Sequence, residues 1–393
     1  MNFIKTIEDK FPIIKNDKIR DILFLIGLSL IVFVETMTTT MFKDYFVLYK
    51  CLKIVALVFI LIKVVFFDTW NIKILLFFSL CICLSLVVKK SSGYNEVFFW
   101  MILLFGARDV DFRKILCVHF TVVFTVIIIA IVASLSGVIE NLRYYSSKGY
   151  RNSFGIRYPT NFAAYIFFLM VSWFYLLKNK MKWWMYSLGI VIGAILYSFC
   201  YTRLDCGCIF ILCFLYALIS LINPYLENKV LWLRVLISLA IIFLFLLVFF
   251  LSFYYDPSVE WMVKIDDLFS SRLTLGKEAF NRYKVNLFGQ GIEFHASSGT
   301  TRPVDDYFFI DSSYLHVMFR DGIVFIVFVL LVFVLCCLKR RSDWFFLAAV
   351  LVIAINATTA HHLTHVQYNP FFMALFAFFP EKQNQVEEKK VLS

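Results

Sequence analysis

Arginine recurs in this sequence at the places where a chain of this composition has least use for it. Segment 139–160 carries Arg143, Lys148, Arg151 and Arg157 against a single acid, Glu140. Guanidinium forks clustered in this way suit an anionic partner such as a phosphate or pyrophosphate, while solvated loop charges with no ligand are the bland alternative. Arg203 stands in CYTRLDCG between two apolar runs, two residues before Asp205. A charge at such a place is expensive unless paired or turned to a polar cavity, so Arg203 either pairs with Asp205 across a tight turn or points into a cavity. The longest polar stretch, 254–313, holds Arg272 in SSRL, Arg282 in FNRY and Arg302 in TTRPVDD, with nine acids against six bases. That balance describes a mixed site, with arginines to hold a charged leaving group and a carboxylate to take a proton. The acids within reach by sequence are Glu293, Asp305, Asp306 and Asp311. Gly289 and Gly291 in LFGQGIEF permit a close turn of a kind that a side chain would not tolerate.

Five of the six histidines come late, at His295, His316, His361, His362 and His365, and His119 lies inside an apolar run. His361 and His365 have the i, i+4 spacing of a helical ligand pair but lack the glutamate of a zincin motif. The ten cysteines have no zinc-site spacing. No metal and no cofactor is expected. His316 is either a packed, hydrogen-bonded residue or a group that moves a proton.

The elements that must position these residues are hydrophobic helices. The chain has 393 residues, 61% hydrophobic and 17% charged, with 47 phenylalanines and a mean hydropathy of +0.81. Soluble domains carry about a quarter charged residues, so a large soluble domain is excluded. Apolar runs fall at 22–41, 45–67, 71–88, 115–138, 161–177, 183–200, 207–222, 232–253, 314–337 and 344–359, with short runs at 97–107 and 370–379. An all-α, polytopic transmembrane bundle of about twelve spans (eleven if 97–107 is re-entrant) is expected, as one integral membrane domain over 1–393. The net charge of +11 does not imply nucleic acid, because the bases recur at alternate turns: Arg108, Arg113 and Lys114; Lys178, Lys180 and Lys182; Lys229 and Arg234; Lys339, Arg340 and Arg341. A cytoplasmic excess has this form. Both termini, including the tail 380–393, are then cytoplasmic, and the medium loop 139–160 and long loop 254–313 face outward. Segment 271–283 sets Leu275, Ala279 and Phe280 on one face of a short helix in the long loop.

Four stretches in this order resemble a known family: RNSFGIRYPTNFAAY, YTRLDCG, SSRLTLGKEAFNRYKVNLFGQGIE and IDSSYLHVMFRDGIVFIVFVLL. They are similar to motifs at the span edges of bacterial Wzy-type polysaccharide polymerases, in the group that includes O-antigen polymerases and ligases. Arg203 falls one or two positions off the family's arginine, and Ser312 stands where asparagine is usual.

The resemblance implies a metal-independent membrane glycosyltransferase in the cytoplasmic membrane. Such an enzyme joins undecaprenyl-pyrophosphate-linked repeat units into capsular polysaccharide or exopolysaccharide at the outer face. It works alongside a flippase and a chain-length regulator. Arg157, Arg203 and Arg272 are the residues carried over from the motifs, with Asp311 or His316 left to draw the proton from an acceptor hydroxyl. A ligase of the same architecture would use the same fold. A transporter or flippase of lipid-linked glycan is the reading from another class, for which broken helices or internal repeats would speak; neither is evident in the sequence.

Overall fold

Polar caps decide where the apolar runs become helices. In the computed structural model, which describes residues 16–42, 45–146, 149–222, 231–296, 301, 306–339 and 343–380, Asn16 Oδ1 accepts the Lys18 amide at 3.0 Å and opens α1 (Asp17–Met37). Helix α2 (Phe46–Ile62) runs into a π-helical turn, Lys63–Phe67. Asn71 caps α3 (Ile72–Ser92), which ends at Gly93 in the left-handed region. A short helix, α4 (Glu96–Gly106), returns along the bundle, and Asp111 caps α5 (Phe112–Leu135). Side-chain oxygens satisfy amides that the first turn of a helix leaves free, so each cap marks a boundary.

The loop after α5 folds as an antiparallel hairpin, β1 (Arg143–Ser146) with β2 (Gly149–Asn152), in which Tyr144 faces Arg151. Pro159 then starts α6 (Pro159–Leu177), where a missing amide does no harm. Helices α7 (Trp183–Cys200), α8 (Arg203–Ile222) and α9 (Leu231–Phe253) follow. The long loop holds α10 (Glu260–Leu268) and α11 (Arg272–Arg282), the latter close to the expected 271–283. The chain closes with α12 (Ser313–Arg320), α13 (Ile323–Lys339), α14 (Trp344–Asn356) and a 3-10 turn, Phe371–Leu375.

Among the described residues six helices are long and apolar enough to cross a bilayer, namely α3, α5, α6, α7, α8 and α9. A multi-span helical membrane protein is therefore what the chain forms, but three of the expected runs take another shape. The run 314–337 is broken at Asp321–Gly322 into α12 and α13. The run 344–359 stops being helical at Asn356, and 370–379 forms only the 3-10 turn. Of the cytoplasmic tail expected at 380–393, all but Pro380 lies outside the described residues, as do Lys148, Lys229, Arg340 and Arg341.

The coil after α14 fills the middle of the bundle. Phe378 pairs with Asp111 at the start of α5, while Val366 accepts from His119, eight residues further along. At 1.5 Å per residue this places Val366 about 12 Å above that start, well inside a core of roughly 30 Å. Irregular backbone at such depth must find protein partners. Leu363 N bonds Ser313 Oγ at 3.0 Å, Asn369 Nδ2 bonds the Leu363 carbonyl at 2.8 Å, and Ser313 N bonds the Ala357 carbonyl at 2.9 Å. Around it Tyr368 stacks on Tyr165 with ring centres 4.1 Å apart, and Phe372 stacks on Trp100 at 4.5 Å.

Candidate functional site

The turn between α10 and α11 is built to carry an arginine. Ser270 and Ser271 both take the left-handed conformation, with φ of 57° and 65°, which side-chain-bearing residues seldom adopt. Asp266 offsets this by capping α11 from six residues upstream: its Oδ1 accepts the Leu273 amide at 2.7 Å and the Thr274 amide at 3.3 Å. Arg203 secures the same turn from the start of α8, donating to Ser270 Oγ at 3.2 Å and the Asp267 carbonyl at 3.3 Å. Arg272 is the first residue beyond it. Its Nη1 bonds the Ser270 carbonyl at 2.9 Å, and its Nε bonds the Thr359 carbonyl at 3.3 Å and lies 3.8 Å from Asp311 Oδ2.

Arg272, Thr359 and Asp311 line a small cleft with Thr160, Leu204, Asp205, Ala360, His361 and His362. Burial raises the Asp311 carboxyl above its ordinary value, and the charges of Arg272 and then Arg151 pull it back. Asp311 nevertheless keeps 20% of its side-chain surface, so it opens to the cleft. Asp306 has the opposite environment: exposed and bonded to Arg282, it is held below the usual carboxylate range. Arg151 comes from β2 and donates from Nε to the Cys200 carbonyl at 2.8 Å, capping the end of α7. Asp205 does not pair with Arg203, which is exposed; it accepts from Asn356 Nδ2 at 3.0 Å inside the bundle.

His316 sits on α12 with its ring parallel to Phe294 at 5.2 Å. Its Nδ1 lies 3.0 Å from the Ile310 carbonyl, which can only accept, so Nδ1 carries the proton and Nε2 is the acceptor. That Nε2 is buried and has no hydrogen-bond partner among the described residues. His361 lies 5.7 Å from His316 and 5.6 Å from His365, centre to centre. Among the described residues no group of three or more His, Cys, Asp or Glu is arranged to hold a metal ion.

The other sequence candidates fall elsewhere. Arg282 is occupied by Glu278, with Nε at 2.9 Å, and by Asp306, with Nη1 at 3.1 Å, and lies over the Phe308 ring. Arg157 bonds through its backbone to Thr39 and Tyr144, and its Nε is buried without a hydrogen-bond partner among the described residues. Arg302 and Asp305 lie outside the described residues. Gly289, at φ +77°, lies against the Arg320 carbonyl so closely that a Cβ would collide with it, whereas a Cβ on Gly291 would meet nothing nearer than 3.9 Å. Only Gly289 makes the close turn expected of both.

Sequence reasoning missed Asp266, Asn356 and the buried Arg320. Arg320 makes a two-pronged pair with Asp321 at 3.0 and 2.8 Å, lies 3.8 Å from Glu96 and stacks over Tyr94. The Asp-Gly pair within an apolar run is the one signal that marks this break. No protein-family model, curated protein or solved structure matches the chain.

Proposed function

We propose that the protein is a membrane glycosyltransferase that polymerises undecaprenyl-pyrophosphate-linked oligosaccharide units into capsular polysaccharide or exopolysaccharide at the outer face of the cytoplasmic membrane. The supporting observation is the cleft in which Asp311, its carboxyl raised by burial, stands beside Arg272 and within electrostatic reach of Arg151. In this reading an acceptor hydroxyl attacks the anomeric carbon of the donor glycan. Its proton passes to Asp311, which lines the cleft, and the carbon–oxygen bond to the pyrophosphate breaks. Arg272 and Arg151 stabilise the charge that develops on the departing diphosphate. Arg203, clamped on the α10–α11 turn, holds Arg272 in place rather than the substrate. The flippase and chain-length regulator of such an assembly line are the expected protein partners.

Analysis of lipid-linked intermediates in a deletion strain tests this. Single units on the carrier lipid with loss of long chains are the expected result. Long chains retained on the carrier lipid would make the protein a ligase of finished polymer. Units trapped on the inner side would favour a transporter of lipid-linked glycan, the second reading. The helix break at Asp321–Gly322 and the coil at membrane depth speak for it, since transporter sites are built from such interrupted elements. Arg272→Ala, made at normal protein level, is expected to reduce chain elongation about 100-fold, the scale on which a group stabilising transition-state charge acts.

A further inference from the structure

A second site lies on the flank of the bundle and shares no lining residue with the cleft. It is a groove of about 930 Å³ between α3 and α13, walled by Leu80, Leu84 and Val87 on one side and Val327 and Leu331 on the other, with Phe288 at the loop-bearing end. Every lining side chain is apolar or a cysteine. On α3 the wall advances in steps of three and four residues, and the next steps after Val87 are Lys90 and Ser91. Ser91 ties that end down, its Oγ donating to the Gly289 carbonyl at 2.6 Å.

Lys89 and Lys90 are both exposed, and neither ammonium has an ion-pair or hydrogen-bond partner among the described residues. With the long loop outward, these lysines occupy the side of the membrane where cations are disfavoured. An apolar trough that ends beside the unpaired ammonium of Lys90 is complementary in shape and charge to an anionic amphiphile.

We propose that this groove is a binding site for an anionic glycerophospholipid of the outer leaflet. One acyl chain lies along the α3–α13 trough, and the phosphodiester rests against Lys90. The ammonium group is a compact point charge matched to the single charge of a phosphodiester. The planar forks suited to a diphosphate belong to Arg272 in the cleft and to Arg151 within its electrostatic reach. The phospholipid assignment, as opposed to the carrier lipid, rests on this division.

Native mass spectrometry of the full-length protein, delipidated in detergent and supplied with palmitoyl-oleoyl phosphatidylglycerol or phosphatidylcholine, tests the site. The phosphatidylglycerol adduct is expected to be retained about fivefold more, since a lysine near an anionic headgroup contributes about 1 kcal/mol. K90Q is expected to abolish that preference, while K73Q, at the opposite end of α3, keeps it. Leu84→Trp, which fills the trough, is expected to lose both adducts, so the site is tested without touching its charges. No preference in the unmodified protein, or a preference that survives K90Q, would overturn the proposal. So would displacement of phosphatidylglycerol by undecaprenyl phosphate at equal concentration, which would give the groove to the carrier lipid.

Discussion

At the scale of residues, the long loop separates two carboxylates by their surroundings. Asp306 is exposed and bonded to Arg282, so it stays ionised, while the half-buried Asp311 is raised above the ordinary carboxylate value. If Asp311 takes the acceptor proton, activity requires its ionised form. The acid limb of a pH–rate profile is then expected above the usual carboxylate range, with rate lost as pH falls through it. Arg272 lowers the Asp311 value, so Arg272→Gln should move that limb to higher pH as well as reduce the rate. An unmoved limb would remove Asp311 from the proton-accepting role. Arg151, Arg272 and Asp311 were legible in the sequence because charge in so greasy a chain has few ordinary explanations. Arg282 was separable from them only through Glu278, four residues before it on the same helix, since its pairing with Asp306 spans 24 residues and leaves no local pattern.

At the scale of elements, the α10–α11 turn and the Gly289 contact carry the positioning. Asp266→Ala should destabilise the long loop by about 1 kcal/mol, as other lost helix caps do, and lower activity through Arg272. Asp266→Asn, which keeps an acceptor, should restore the melting temperature of the alanine variant. The two glycines of LFGQG provide a sharper contrast. Segment 286–290 is laid against the helix break, with Ile323 N bonding the Asn286 carbonyl at 3.0 Å and Gln290 N the Arg320 carbonyl at 3.1 Å. Gly289→Ala should cut the yield of folded protein in detergent, and Gly291→Ala should leave it unchanged. The phase of Leu275, Ala279 and Phe280 reveals α11 in the sequence, whereas hydropathy alone draws one helix through 314–337. An apolar run records where a segment prefers to be, and a single Asp-Gly pair barely changes that average. The break becomes visible only through the partners that Arg320 and Asp321 find on other elements.

At the scale of the whole molecule, orientation is the property on which the proposed chemistry depends. With the exposed cysteines Cys51, Cys83 and Cys117 replaced by serine, a cysteine placed at exposed Ser258 should react with a membrane-impermeant maleimide in intact cells. Labelling only after lysis would put the long loop inside and end the outer-face assignment. Most of the helical frame could be read from hydropathy, and α7 begins and ends where its apolar run does. The centre could not, because it is filled by coil whose polar groups are satisfied at long range, as Asn356 satisfies Asp205 across 151 positions. That central coil has a bearing on biogenesis. A stretch containing Thr364, Gln367 and Asn369 has no means of entering lipid alone, so the insertion machinery must deliver it last, into a cradle that the earlier helices have already assembled. Stop codons just upstream of 357 should accordingly yield an inserted but hollow bundle, marked for degradation, and not a shortened working protein.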